Sequence, residues 1–452
     1  MKNCRAKEGT EKRKGSEPEN FAVNHRYYDA LKTIAILRAI DSKTLNLLFV
    51  SIRVRSAFLK KALQQNHLKE TQIREWSASE SYRKRTTTYY IITRTGLNYL
   101  AGRQGDIFSR FIDIDGSVPV FDSNEYGQDK RKRLLSFRTA AVLAKAAGAN
   151  INLSAFSYLS GTGRKPEDDS EHEPAGNPSL PMYYARYLTP EFIDRCGLLK
   201  NLYSEEDDQF MVFHSGQEVK RIVTTASVQG TSRDFSSGKY AGVIDSHFKS
   251  MMIFVAPSFT MSWSDWNMRD ELTAYGLWAR RNRIPDQYQR DRNGTTAALI
   301  VDNAREFAYH FLGCQKKGAG ESFGGKFSHM YIVPNDAVGA DFLRWIMLMD
   351  EKSMAEQLNY DAVSFLGFKQ NMDQFSREVF PLRSEAGAWS AAGFILDGKK
   401  IQIWYNAATR NKNEKFEIIC WEWQKEFYRR VLPENVSYSV VEGTGEYPLI
   451  AG

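Results

Sequence analysis

The stretch "YRKRTTTYYIITRTGLNYLAGR" at residues 82–103 decides how the front of this chain is read. Three cations, Arg83, Lys84 and Arg85, lead into a run in which Thr, Tyr and Ile alternate over 87–92. That alternation is the pattern of a half-buried β-strand. A Thr-Arg-Thr-Gly step follows, and then a helix start. A second strand lies upstream, and the polar segment "SASESYRKRT" separates the two. The stretch therefore reads as the return half of a β-hairpin with cations at its tip.

Helices come before the hairpin. "RYYDALKTIAILRAI" (26–40) sets Tyr27, Leu31, Ile34 and Leu37 on one helical face. Asp41 and Ser42 offer an N-cap for a short second helix over "KTLNLLF", and Ser51 offers another for "IRVRSAFLKKALQQN" (52–66). At 100° per residue, Ile52, Val54, Phe58, Leu59, Ala62 and Leu63 share one side of this third helix. Arg53, Ser56, Ala57, Lys60, Lys61 and Gln64 fill an opposing arc of about 140°. Arg55 falls among the apolar positions, where it would have to snorkel. Cations beside small or amide side chains suit a helix that grips phosphates and approaches base edges.

Charge supports the same segment. The net charge is +7, yet residues 21–103 carry +10, the first twenty residues +2 and the remainder −5. Positive charge concentrated in one small segment is the footprint of nucleic-acid binding.

Three helices followed by a two-stranded hairpin make the winged variant of the helix-turn-helix, with the third helix in the major groove and the hairpin loop along the backbone. The return strand carries Tyr90, Ile92, Thr93 and Gly96 in the Tyr-x-Leu/Ile-Thr-x-x-Gly pattern of winged helices. With the helices in front of it, 26–103 resembles the replication-relaxation family, winged-helix proteins of plasmids and conjugative elements. Glu218, Lys220, Ser232, Arg233 and Gly242 match a Glu-x-Lys strand and a Ser-Arg…Gly-Val strand found in such proteins. The resemblance implies a double-stranded DNA-binding accessory factor in plasmid replication, relaxation or conjugative transfer. It also implies a relaxase or replication initiator as partner. Arg53, Arg55, Ser56, Lys60, Lys61 and Gln64 are the candidate groove residues, and Arg83, Lys84, Arg85 and Thr86 the candidate hairpin contacts.

The rest of the chain reads as a mixed α/β domain, so the fold class is α+β multi-domain. The expected division is a charged tail at 1–20 and the winged helix-turn-helix at 21–103. A connecting helix and an acidic, Pro/Gly-rich linker occupy 104–180, and 181–452 form an α/β domain that dimerises or binds a partner. "MVFHS", "AGVID", "SMMIFVA", "FSHMYIVP", "AAGFIL", "KIQIWYN" and "FEIICWEW" read as strands. "TAALIVDNAREFAYHFLG", "GADFLRWIMLMDEKSMAEQL" and "EWQKEFYRRVL" read as helices.

Catalytic chemistry finds weaker support. Glu218 and Lys220 would serve a metal-dependent nuclease only with an upstream Asp, and Asp207 and Asp208 lie in an acidic turn. "GESFGGKF" (320–327) puts Phe327 where a phosphate loop needs a hydroxyl. The seven His are scattered singletons, and the four Cys are isolated, as in a reducing cytoplasm. The longest apolar run, "MMIFVAP", is far short of the ~20 residues of a membrane span. No cofactor is expected. A winged-helix transcriptional regulator is the rival that shares the DNA-binding half.

Overall fold

The computed structural model describes residues 27–35, 37, 39–49, 51–76, 84–104, 128–151, 211–215, 240–246, 249–256, 296–316, 323–324, 327–348, 369–370, 382–383 and 387–441. Helix and sheet are mixed throughout, in an α+β arrangement. No helix among the described residues is long and apolar enough to cross a membrane.

Residues 27–35 form helix α1, with Leu31, Ile34 and Ala35 fully buried. The helix does not reach residue 40. The chain straightens into β1, Ala39–Asp41, because Ala39 and Ile40 pair with Ile91 and Tyr90. The Asp41 carboxylate then accepts the amides of Lys43 and Thr44 at 3.0 and 2.9 Å, which starts a turn. The segment expected as a second helix is a 3-10 turn, Thr44–Leu48. So short a segment forms too few i→i−4 bonds to offset an α-helical nucleus. Helix α2, Ile52–Gln64, follows, and its cap is Ser51, whose Oγ accepts the Val54 amide at 3.3 Å.

Strands β2 (Leu68–Trp76) and β3 (Lys84–Ile92) pair antiparallel along their full lengths. With β1 they make a three-stranded sheet in the order β1-β3-β2. The return-strand motif is a corner. Tyr90 and Ile92 are buried, and the Thr93 amide donates to the His67 carbonyl at 3.0 Å. Thr93 Oγ1 caps helix α3 (Arg94–Gln104) by accepting the Gly96 amide at 3.1 Å. A Cβ on Gly96 would stand 2.4 Å from the His67 oxygen, so only glycine lets α3 close on the turn that ends α2.

Helix α4, Gln128–Ala146, is the joint of the molecule. Residues 136–144 are buried without interruption, which means the helix is covered on all sides there. Toward the N-terminal module, Arg138 Nε donates to the Leu37 carbonyl at 3.0 Å and Lys145 Nζ to Thr33 Oγ1 at 2.7 Å. Toward the body, Phe137 packs on Phe213. Gly148, with φ +98°, then turns the chain into β4, Asn150–Ile151.

The body holds two sheets. The first runs in chain order through β4, β5 (Met211–Ser215), β6 (Gly242–Ser246), β7 (Ser250–Val255), β8 (Thr296–Val301) and β9 (His329–Pro334). Strands β5–β7 are an antiparallel meander and β7–β9 are parallel. Helix α5 (Ala304–Lys316) joins β8 to β9, and α6 (Ala337–Leu348) follows β9. The second sheet contains β10 (Lys369–Gln370), β11 (Leu382–Arg383), β12 (Trp389–Ala392), β13 (Phe416–Trp421) and β14 (Val436–Val441). Helix α7 (Gly398–Arg410) joins β12 to β13, and α8 (Glu422–Arg429) joins β13 to β14. The sheets meet where Ile332 donates its amide to the Leu396 carbonyl at 2.8 Å. One cluster of buried side chains extends from Tyr27 to Val436.

In the body, further segments depart from their sequence reading. Residues 296–301, read as part of a helix, are a strand buried on both faces, because a parallel sheet covered by helices tolerates an unbroken apolar run. "KIQIWYN", read as a strand, is the middle of α7. Asp397 caps that helix by accepting the Lys399 amide, and Ile401, Trp404 and Ala408 are buried at helical spacing. Strand β12 also ends at Ala392, before "FIL".

Candidate nucleic-acid interface

The outward face of α2 follows from its cap and its packing. Phe58 and Ala62 are buried, Phe58 against Tyr27 and Phe49 at 5.2 and 5.0 Å between ring centroids. That anchoring turns Arg53, Ser56, Ala57, Lys60 and Gln64 to solvent. The two exposed cations stand seven residues apart, about 10 Å along the axis, which is comparable with the width of a major groove.

The other two cations predicted for this helix are engaged within the module. Arg55 donates to Asn46 Oδ1 and ties α2 to the 3-10 turn. Lys61 lies over the Tyr27 ring, 4.5 Å from its centroid. Beneath it, the Tyr27 hydroxyl and His67 Nδ1 are 2.8 Å apart, and Tyr99 stacks on His67 at 4.5 Å. Burial, helped by Tyr99, pushes the Tyr27 phenol up to about 12. Burial and then the Lys61 charge lower the His67 pKa, so the imidazole is held neutral at the foot of the helix.

Beside α2 the hairpin outruns its sheet. β1 meets β3 only from Tyr89 to Ile91, whereas β2 and β3 stay paired from Gln72–Thr88 out to Trp76–Lys84. This two-stranded ribbon extends about 14 Å past the third strand. Lys84 and Arg85 are its outermost described rungs, opposite Trp76 and Glu75, and Thr86 is exposed opposite Arg74. They belong to the return strand and not to the tip. Arg83 lies outside the described residues.

The module is also pinned to the body by charge. Lys43 Nζ reaches Asp302 Oδ1 at 2.6 Å, and Asn335 Nδ2 donates to the same oxygen at 2.9 Å. Sequence reasoning passed over Lys43 because its partner is remote in the chain.

The alternative chemistries divide between described and undescribed positions. Asp207, Asp208, Glu218, Lys220, Ser232, Arg233 and Lys326 lie outside the described residues. Gly242 is needed for packing, since a Cβ there would meet the His214 carbonyl at 2.2 Å. Phe327 is a core residue set edge-on against Phe254. His329 Nδ1 lies 2.8 Å from Asp397 Oδ2, while Asp397 Oδ1 accepts the Met330 and Lys399 amides. This buried carboxylate therefore caps α7 and anchors the strand beside it. Trp421 and Trp423 pack on Phe394 and Phe342. Among the described residues no three His, Cys, Asp or Glu side chains are grouped to hold a metal.

Compared with family profiles, characterised proteins and solved structures, this chain finds no match.

Proposed function

We propose that residues 27–104 form a winged helix-turn-helix that binds double-stranded DNA, with α2 in the major groove and the β2–β3 ribbon along the flanking backbone. The reading rests above all on α2, a capped helix anchored by Phe58 and presenting Arg53, Ser56, Lys60 and Gln64 beside that ribbon. The excess of cations in this part of the chain adds the long-range attraction that duplex DNA requires. In keeping with the resemblance to replication-relaxation proteins, the bound site is an origin of replication or transfer on a mobile element. The α/β body dimerises or recruits a relaxase or replication initiator there, and the protein acts without catalysis of its own.

Binding to duplexes selected from a random library, measured across a salt series, tests the reading. Replacing Arg83, Lys84 and Arg85 with Ala should weaken all duplexes alike and flatten the log–log salt slope by ~1 for each phosphate no longer neutralised. Arg53→Ala should change the selected sequence, at a cost of about 1–3 kcal/mol on the preferred site. Unchanged affinity and slope in the triple variant would remove the ribbon from the interface. A selected site found at the protein's own promoter, and not at an origin, would favour a regulator.

A further inference from the structure

Four large apolar side chains stand out as exposed among the described residues: Ile52 at 73%, Tyr309 at 49%, Ile403 at 48% and Val338 at 36%. Ile52 is the most exposed and the one on the candidate interface. Its sequence position suggested the buried side of α2, yet it opens the helix directly after the Ser51 cap, at the rim of the outward arc. Helix propensity gives no reason for it, since a β-branched residue is a poorer choice than Ala, Glu or Lys at an exposed helical position.

Its surroundings give it a definite direction. The Ser56 hydroxyl donates to the Ile52 carbonyl at 2.9 Å, one turn on, and Arg53 and Ser51 flank it, both exposed. Helical side chains lean toward the N-terminus, so Ile52 projects ahead of the first turn. In recognition helices it is the N-terminal residues that meet base edges. The floor of the major groove offers one apolar group, the methyl on C5 of a pyrimidine.

Resting on the DNA-binding reading, we infer that Ile52 is a specificity-determining residue that contacts a pyrimidine C5-methyl in the major groove. Thymine carries that methyl in ordinary DNA, and 5-methylcytosine presents the same group. The contact adds an apolar reading to the polar one supplied by Arg53, Ser56, Lys60 and Gln64, and it requires no change in how the phosphates are held.

The test starts from the duplex selected by the full-length protein, with each thymine replaced in turn by uracil, which removes only the methyl. At one position the wild type should bind about four-fold more weakly. Ile52→Ala should bind the thymine and uracil duplexes equally, with an unchanged salt slope, and Ile52→Val should retain the discrimination. Cytosine at that position should bind more tightly once methylated on C5, which separates the methyl from the base that carries it. A wild type indifferent to every substitution, or discrimination that survives in Ile52→Ala, would overturn the inference while leaving DNA binding intact. Failure to bind any duplex would remove the inference together with the reading beneath it.

Discussion

Helices α2 and α5 are both thirteen residues long and both amphipathic, but they treat charge in opposite ways. On α2 the cations Arg53 and Lys60 stand in water, Arg55 and Lys61 bend back onto neighbouring side chains, and the buried anchors Phe58 and Ala62 are apolar. On α5 two titratable side chains one turn apart are drawn inward: Glu306 is buried, and His310 is partly buried with its Nε2 shielded from solvent. Glu306 is 4% exposed, and its Oε2 accepts the Asp302 amide at 2.6 Å. Burial is the main cause that raises its carboxyl from 4.5 to about 7, against the backbone hydrogen bond from Asp302. Burial also lowers His310 from 6.5 to about 4, opposed by a hydrogen bond with the Ala256 backbone. Amphipathic periodicity thus identifies a helical face, but the fate of its charges depends on what the face meets.

The sharpest way to break this comparison is to disturb the close packing that holds each region in place. A Cβ on Gly339 would lie 1.7 Å from the Pro334 carbonyl oxygen, where α6 packs onto the end of β9. Gly339→Ala should therefore destabilise the body by about 4 kcal/mol, read by denaturant unfolding. Gly96→Ala, with its clash against the His67 carbonyl, should cost about 3 kcal/mol. If the proposed DNA-binding reading holds, the damage should show first in duplex binding, since the corner it disturbs fixes α2.

A second experiment sharpens the contrast through pH. Between about pH 4.5 and 6.5 the unfolded chain carries ionised Glu306 and protonated His310, whereas the folded chain holds both neutral. Folding then takes up one proton at Glu306 and releases one at His310, so the two contributions to the pH slope cancel. Glu306→Gln leaves only His310 to titrate, and stability should fall as pH drops through this window, by about 1.4 kcal/mol per unit. His310→Asn leaves only Glu306 to titrate, and stability should rise by a similar amount as pH drops. Each variant should differ from wild type by up to about 3 kcal/mol over the window, measured by urea unfolding at several pH values. Parallel profiles for both variants would refute the pairing.

The smallest effect belongs to the charge between the two regions. Lys43 and Asp302 are both about half exposed, at 48% and 45% for the side chains. Lys43→Ala should cost no more than about 0.5 kcal/mol, and less at high salt.

The N-terminal module was largely legible in sequence because its signals are local. Ser51 caps where its position before the apolar run implies a cap, the Thr, Tyr and Ile run is a strand, and Thr93 and Gly96 act within a few residues of each other. The misread segments of the body lacked such local evidence. Thr296–Val301 is apolar without a period, and only the covered parallel sheet makes it a strand. In α7 the sequence Ile401-x-Ile403-x-Tyr405 imitates strand alternation, while the deciding signal, the Asp397 cap, sits in what looks like an Asp-Gly turn. At the site, Arg53, Ser56, Lys60 and Gln64 face outward as a helical wheel requires. The engagement of Arg55 and Lys61 depends on Asn46 and Tyr27, which no wheel contains.

The joint at α4 gives the N-terminal module a long wait during synthesis. The Leu37 carbonyl is satisfied by Arg138, 101 residues later, and Thr33 meets Lys145 after 112. At ordinary translation speeds the ribosome needs ~5–20 s to span that interval. Until then the emerging chain holds α1 and the 3-10 turn without the helix that covers them. The module therefore finishes folding only when a later part of the chain arrives, although its own residues come first.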